Sequence, residues 1–309
     1  MAVKKRGAVG VVGLGIMGSA FAENLVAAGW RVIGYDIAAP RRRALAKQGV
    51  EIAKDAGEVA RQAAVIILSL PKPSALAETA ASIANAKAPR RVVIEASTFK
   101  LGDKFAAEAV LRKAGHVLLD CPMSGTGFQA KVKDLVVYAS GPTAEINKLR
   151  PLFADFTHVV RDLGAFGNGS RMKYIANLLV AVHNVASAEA LVMGMKAGLP
   201  PEVVYEHVKV GAGNSRIFEL RAPMMVKGRY DRPTMKVSIW QKDMDVISSF
   251  ARELGTPTPL FSATLPIYAA AMSTGYAAQD TASTCAVLEA MAGIKRGKTK
   301  KKTRRKGSS

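Results

Sequence analysis

Acidic residues are scarce in this chain, and so are cysteines and aromatics. Twenty-four aspartates and glutamates stand against 44 lysines and arginines, a formal net charge of +20. Nine of the positive charges fall within 295–309, which leaves +11 for everything before them. The basic excess therefore belongs largely to a tail, KRGKTKKKTRRKGSS, that lacks an apolar anchor after Ile294 and is expected to be disordered. Such a tail would touch nucleic acid or an acidic surface only in a sequence-independent, salt-sensitive way. Two cysteines, Cys121 and Cys285, supply neither a disulfide framework nor a thiolate metal site, so the expected compartment is the reducing cytoplasm. No cluster of His, Asp or Glu has metal-ligand spacing, and the expected chemistry is metal-free. No stretch approaches the roughly 18 unbroken apolar residues of a membrane helix, and the basic-then-apolar start is broken by glycines with no cleavage pattern behind it. What remains is a 309-residue chain, 49% apolar and 22% charged, with enough material for a buried core and more than one domain.

From Gly7 to about Leu163, short β-branched runs alternate with alanine-rich stretches: AVGVVG, RVIGYD, AAVIILSL, RVVIEAS, HVLLDCP, LVVYASG and THVVRDL. This alternation predicts βαβ units around a mostly parallel, doubly wound sheet. The strands lack polar alternation, as expected when helices cover both faces. After Gly164 the pattern turns helical. A long apolar helix is predicted over 170–197, closed by Gly198, with further helices over about 201–207, 215–225, 237–254 and 259–273 and a last one ending near Met291. The expected division is an α/β domain over 1–165, an all-helical domain over 166–294 and the tail over 295–309.

The first strand runs directly into Gly13-Leu14-Gly15-Ile16-Met17-Gly18 and then into a helical stretch. In that context the glycines have separate tasks: a tight turn, close backbone approach to a pyrophosphate, and close packing of helix on strand. The helix N-terminus then presents unpaired N–H groups and positive dipole to the phosphates. The second strand ends in Asp36, placed to accept from ribose hydroxyls and to repel a 2′-phosphate, which favours NAD over NADP in this Rossmann-type unit. Arg41, Arg42 and Arg43 point the other way if their loop folds back, although Pro40 predicts a helix start with the arginines outward.

Three further clusters carry chemistry. Ser124, Gly125 and Thr126 follow the strand HVLLD in a loop of small residues suited to an anion. Lys173 and Asn177 stand four apart on one face of the long helix, and burial among its apolar neighbours would lower the lysine pKa toward proton-transfer range. Lys242-Asp243 follow Trp240 on a later helix. Taken with Leu70-Pro71 and Ser97-Thr98, these segments in this order resemble the β-hydroxyacid dehydrogenase family over about residues 7–292. Cys121 stands where that family commonly has alanine, and Tyr174-Ile175 replace a more usual Leu-containing pair.

The resemblance implies hydride exchange between a small hydroxy acid and a nicotinamide dinucleotide. It implies that Lys173 is the general acid–base, that Ser124, Gly125, Thr126 and Asn177 bind substrate, and that Leu70, Pro71, Thr98 and Lys242 contact the cofactor beside the glycine loop. The segments 183–191 and 212–221 are most similar to L-threonate dehydrogenase-type members, with Asn214, Ser215 or Arg216 to meet an extra hydroxyl of a four-carbon acid or, instead, to cap and brace the next helix. His183 and Glu189 lie off the Lys173 face. The long helix also predicts a homodimer or homotetramer. The competing reading is a non-catalytic dinucleotide-binding protein whose tail engages nucleic acid, against which Lys173 argues.

Overall fold

The computed structural model describes residues 6–296. These form two compact units, one of residues up to Leu179 with Ile239–Thr258, the other of Val180–Ser238 with Pro259 onward.

In the first unit, β1 (Ala8–Val12), β2 (Arg31–Tyr35), β3 (Glu51–Ile52), β4 (Val65–Leu68), β5 (Val92–Glu95) and β6 (Val117–Asp120) make a parallel sheet in the order β3-β2-β1-β4-β5-β6. Helices α1 (Ile16–Ala27), α2 (Ala39–Ala46), α3 (Ala56–Gln62), α4 (Pro73–Ala84) and α5 (Leu101–Lys113) connect them. The order reverses between β1 and β4, and a doubly wound sheet binds its ligand beyond the strand ends at that switch point. Strand β4 shows why polar alternation is missing. Ile66 and Leu68 pack with Val59, Leu76 and Val93 on one face while Ile67 joins Val9, Val11 and Leu119 on the other. Each such side chain contributes about 1.5–3 kcal/mol on burial.

The expected parallel sheet is therefore present, but it does not hold all seven predicted strands. Cys121 and Pro122 alone separate β6 from β7 (Met123–Ser124), far too few residues for a parallel crossover. The chain turns instead into a second sheet, in which β7 pairs antiparallel with β8 (Val136–Ala139) and β8 pairs parallel with β9 (Val159–Asp162). Helices α6 (Gly127–Lys131) and α7 (Thr143–Phe153) complete this part.

Helix α8 (Asn168–Lys196) has 29 residues and spans about 44 Å at 1.5 Å per residue. Its end is a Schellman closure: Gly198 adopts φ +84° and the Leu199 N–H donates to the Gly194 carbonyl at 2.9 Å. One 18-residue window of α8 has mean hydropathy 1.5, apolar and long enough to cross a membrane by length and composition, yet 44% of that window is buried inside the chain. Met172, Ile175 and Leu179 are exposed along one side of its first half. Helix α11 (Val237–Glu253) rejoins the first unit from Ile239.

The second unit contains α9 (Pro201–Val208), α10 (Arg216–Lys227), α12 (Pro259–Ala271) and α13 (Thr284–Met291); α9, α10 and α13 share a core with Leu191, Phe218, Met225 and Cys285. Buried Asp280 accepts from Arg221 at 2.9 Å, and Asn184 donates to Tyr268, Thr281 and Thr284. Arg296 pairs with Glu289 and caps the Met225 and Val226 carbonyls. The rest of the basic tail, with its expected disorder and nucleic-acid contact, lies outside the described residues.

Lys133, after α6, holds φ +62°, the left-handed region that disfavours a Cβ. Removing that penalty of about 1–2 kcal/mol, less the extra freedom glycine gives the unfolded chain, Lys133→Gly should gain roughly 0.5–1 kcal/mol. Urea denaturation midpoints check this, and an unchanged or lower midpoint refutes it.

Candidate active site

The turn from β1 into α1 is tight for a stated reason. Gly13 has φ +90°, and a Cβ there would lie 2.1 Å from the Ser69 carbonyl oxygen; one at Gly18 would lie 1.8 Å from the Gly13 oxygen. Both glycines are required by the fold itself. Gly15 differs: a Cβ there would find only an Arg41 nitrogen, at 3.8 Å. The chain therefore keeps its middle glycine bare toward open space, at the N-cap of α1, where no side chain satisfies the first N–H groups. An unfilled glycine facing an uncapped helix N-terminus fits a bound pyrophosphate. Leu14 is buried, Met17 half-buried and Ile16 exposed on the same turn. Leu70 abuts Gly13 from the end of β4, its N–H donates to Ser97 Oγ at 2.8 Å, and the neighbouring Pro71 is exposed.

Asp36 lies beside this loop, 5% exposed, and takes more from the chain than its sequence position suggested. Oδ2 accepts from the Leu14 N–H at 2.8 Å and from Arg41 at 3.3 Å, while Oδ1 accepts from the Ala38 N–H at 2.7 Å. A carboxylate has about four acceptor sites, so three are already in use. Pro40 does stand in the first turn of α2, but Arg41 and Arg42 do not simply face outward. Arg42 reaches the Asp36 and Ile37 carbonyls at 2.5 and 3.1 Å. Arg43 is exposed.

Lys242, on α11, donates to the Thr98 carbonyl at 2.8 Å and lies 5.1 Å over the Phe99 ring. A cavity of about 370 Å³ beside them is lined by Pro73, Phe99, Lys100, Asp103, Lys242 and Asp245. Lys173 is half-buried on the first turns of α8. Burial pushes its ammonium down to about 8, against the pull of Asp243, with Lys242 adding to the depression. Asp243 is itself buried, its carboxyl raised by desolvation despite both lysines, and its Oδ1 has no hydrogen-bond partner. Asn177, one turn beyond Lys173, is 5% exposed. A lysine amine near neutrality beside a buried carboxylate can take up and return a proton.

The loop after β6 is fixed by its own contacts. Gly125 holds φ +134°, and a Cβ there would strike Leu135 at 2.4 Å. The Thr126 N–H and hydroxyl both donate to Gln129 Oε1, capping α6, so that hydroxyl is engaged within the loop. Ser124 is half-exposed. The start of α8 sits against the same strand ends, since a Cβ on Gly169 would be 2.6 Å from the Asp120 carbonyl. Asn214 lies in the second unit, where Nδ2 donates to Glu219 at 2.8 Å and Oδ1 is buried without a partner. Ser215 caps α10 through the Phe218 N–H at 3.0 Å, the capping alternative that its position left open.

Sequence reasoning missed Glu95, Asp120 as an ionic group, and Lys104. All three are 0% exposed, and Lys104 Nζ lies 2.6 Å from Glu95 Oε2 and 2.6 Å from Asp120 Oδ1. A lysine in the second turn of an ordinary helix carries no local signal of burial. The two cysteines are buried and free; desolvation pushes both thiols up, Cys285 to about 12.

Residues 8–164 match the family model described as the NAD binding domain of 6-phosphogluconate dehydrogenase, and residues 167–288 match the one described as NAD-binding of NADP-dependent 3-hydroxyisobutyrate dehydrogenase. An L-threonate dehydrogenase of Cupriavidus necator is 31% identical over 93% of this chain and 96% of its own length. The crystal structure of a 3-hydroxyisobutyrate dehydrogenase from Salmonella typhimurium superposes with a TM-score of 0.82 at 30% identity, covering 91% of this chain and 100% of the other. A 3-hydroxyisobutyrate dehydrogenase from Mycobacterium tuberculosis, solved with L-serine, gives 0.84 at 26% identity, covering 91% and 99%.

The glycine geometry separates folding from binding. Gly15→Ala should melt within a degree or two of the parent yet bind dinucleotide at least about tenfold more weakly, whereas Gly13→Ala and Gly18→Ala should lose stability by several kcal/mol through backbone clash. Thermal melts paired with fluorescence titration of dinucleotide distinguish them. Full affinity in Gly15→Ala would contradict the placement of the pyrophosphate.

Proposed function

Because the chain belongs to the β-hydroxyacid dehydrogenase family, we propose that it oxidises a small hydroxy acid reversibly, with Lys173 as the general acid–base. The observation that carries this reading is the Lys173 ammonium pushed down to about 8 beside Asp243, one helical turn from buried Asn177. A bound nicotinamide dinucleotide supplies the hydride acceptor. The chain's own residues orient the acid and handle its proton. Ser124 and the Gly125 backbone hold the substrate carboxylate, Thr126 contributing its place in the loop rather than a free hydroxyl. Asn177 fixes the alcohol. Neutral Lys173 takes the hydroxyl proton as oxidation proceeds, and Asp243 stabilises the ammonium so formed; in reduction the ammonium returns the proton.

Leu70, Pro71, Thr98 and Lys242 are assigned to the cofactor, with Asp36 favouring NAD over NADP. Arg41 at 3.3 Å from Asp36 weakens that preference without reversing it, because Asp36 is buried and Arg41 is exposed. Four-carbon sugar acids such as threonate lead the candidate substrates, on the 31% identity to an L-threonate dehydrogenase; 3-hydroxyisobutyrate and serine-like acids follow from the solved relatives. Asn214 belongs to this proposal through the likeness and through its unpartnered buried Oδ1. The exposed stripe of Met172, Ile175 and Leu179 supports a homodimer or homotetramer. The cytoplasm is the proposed compartment, on two buried thiols that need no oxidising environment.

A panel of threonate, erythronate, glycerate, 3-hydroxyisobutyrate and serine with each dinucleotide, followed by nicotinamide absorbance, identifies the substrate. Lys173→Ala should lower kcat by about 10²- to 10⁴-fold while leaving dinucleotide Kd nearly unchanged; normal turnover removes the assignment. Oxidation requires the neutral amine, so its rate should climb with pH and level off above about 8, while reduction, which requires the ammonium, should fall over the same range. A flat profile contradicts the role. Light scattering that returns a monomer at micromolar concentration rejects the oligomer.

A further inference from the structure

One fully buried charged cluster of the first unit has no part in the reaction as described. Lys104, on α5, is 0% exposed, as are Glu95 at the end of β5 and Asp120 at the end of β6. One ammonium faces two carboxylates. Burial pulls the Lys104 ammonium down, but Asp120 and Glu95 outweigh it and hold it above its ordinary value. Charge at such depth is costly unless it is paired and its remaining valences are filled. Here three of the four carboxylate oxygens also accept from groups on the site's own elements, while Glu95 Oε2 has only the ammonium 2.6 Å away and no hydrogen bond.

On one side, Glu95 Oε1 accepts from the Ser97 N–H at 2.9 Å, and Ser97 Oγ accepts from the Leu70 N–H at 2.8 Å, next to the glycine turn. On the other, Asp120 Oδ2 accepts from the Ser170 N–H at 2.7 Å, and Oδ1 accepts from the Ser170 hydroxyl at 2.8 Å as well as from Lys104. Ser170 lies in the first turn of α8, three residues before Lys173. Asp120 therefore caps that helix from another strand, where its charge also meets the positive end of the helix dipole. Tyr174, next to Lys173, donates to the Phe99 carbonyl, adjoining the Thr98 that Lys242 grips. A continuous polar chain thus runs from Leu70 through Ser97, Glu95, Lys104 and Asp120 to Ser170.

We propose that Lys104 is a positioning residue: its buried ammonium ties the cofactor-side turns after β4 and β5, joined by the Leu70–Ser97 hydrogen bond, to the first turn of α8 and so sets where Lys173 stands. The proposal rests on the dehydrogenase reading for its catalytic half only. An apolar residue of similar volume would fill the same space, but it would hold neither carboxylate, and each of these orients a different functional element. A misplacement of about 1 Å at a reacting group costs about 10²-fold in rate.

The test compares Lys104→Met with the double variant Lys104→Met/Glu95→Gln. Removing the ammonium alone leaves two facing carboxylates, whereas the double variant restores the cluster's net single negative charge with nearly the original volume, and is expected to fold where the single variant does not. In the folded double variant we expect dinucleotide Kd to rise about three- to tenfold, the worth of a lost hydrogen bond. We also expect kcat to fall at least tenfold with little change in KM for the acid, and the midpoint of the rising pH limb to move. A folded double variant with parental Kd, kcat and pH profile overturns the proposal. So does a loss of activity that only tracks the folded fraction in a melt. Should neither Lys104 variant fold, Ser170→Ala decides: kcat should drop at least threefold with dinucleotide Kd unchanged, and parental kcat overturns the link to Lys173. Because Kd needs no hydroxy acid, a parent chain inactive on every acid would defeat the dehydrogenase reading while leaving the cofactor-loop half still measurable.

Discussion

A gap too narrow for one carbon atom governs the first unit. The start of α1 lies so close to the end of β1 that a Cβ on Gly18 would stand 1.8 Å from the Gly13 oxygen, and one on Gly13 would stand 2.1 Å from the Ser69 oxygen of β4's following turn. This contact brings a helix N-terminus directly over the point where the strand order reverses. The dipole and the unpaired N–H groups then face outward beyond the sheet. Asp36 closes the arrangement from β2 by accepting the Leu14 N–H, so the turn is held in place before any ligand arrives. The preorganisation is bought with backbone sterics and one buried carboxylate.

Two lysines in the same unit show how environment assigns a role to one side chain chemistry. Lys104 has two carboxylates 2.6 Å from its nitrogen, and their attraction exceeds the desolvation of a fully buried ammonium. It stays charged and therefore rigidly bonded. Lys173 has one buried carboxylate nearby and a second lysine, Lys242, opposing it, so desolvation wins and the amine lies near 8. A group that must gain and lose a proton needs that near-balance. The first lysine is suited to holding geometry and the second to changing charge, and Ser170 with Asp120 connects them through one helical turn.

Much of this was legible in the residues. GLGIMG between a strand and a helix, with Asp36 ending the next strand, predicted the dinucleotide turn because Gly13 and Gly18 answer local steric demands while Gly15 leaves open space beside the helix N-terminus. Five β-branched runs became the parallel strands, and Gly198 closed α8 as its conformation required. Strands β3 and β7 escaped notice, since two residues carry no periodicity. The departure of β8 and β9 into a second sheet was also hidden. It follows from a connection of two residues after β6, and a run of valines looks alike in either sheet. The buried triad was invisible for a deeper reason: its members are 9 and 16 residues apart along the chain, and only the parallel pairing of β5 with β6 sets Glu95 level with Asp120.

The apolar character of α8, which the sequence shows only as one long apolar helix, is better understood as two different faces. Lys173 and Asn177 share one side, while Met172, Ile175 and Leu179 share a side roughly 140° away at 3.6 residues per turn. On the first face, desolvation of half-buried Lys173 lowers the ammonium, opposed by Asp243 and aided by Lys242 of α11. The second keeps three large apolar side chains exposed, the feature on which the proposed homo-oligomer rests. Since both faces belong to the same two turns, any partner that covers the outer one also restrains the helix that carries the amine. Assembly and acid–base geometry would then be coupled through a rigid element, with no moving part between them.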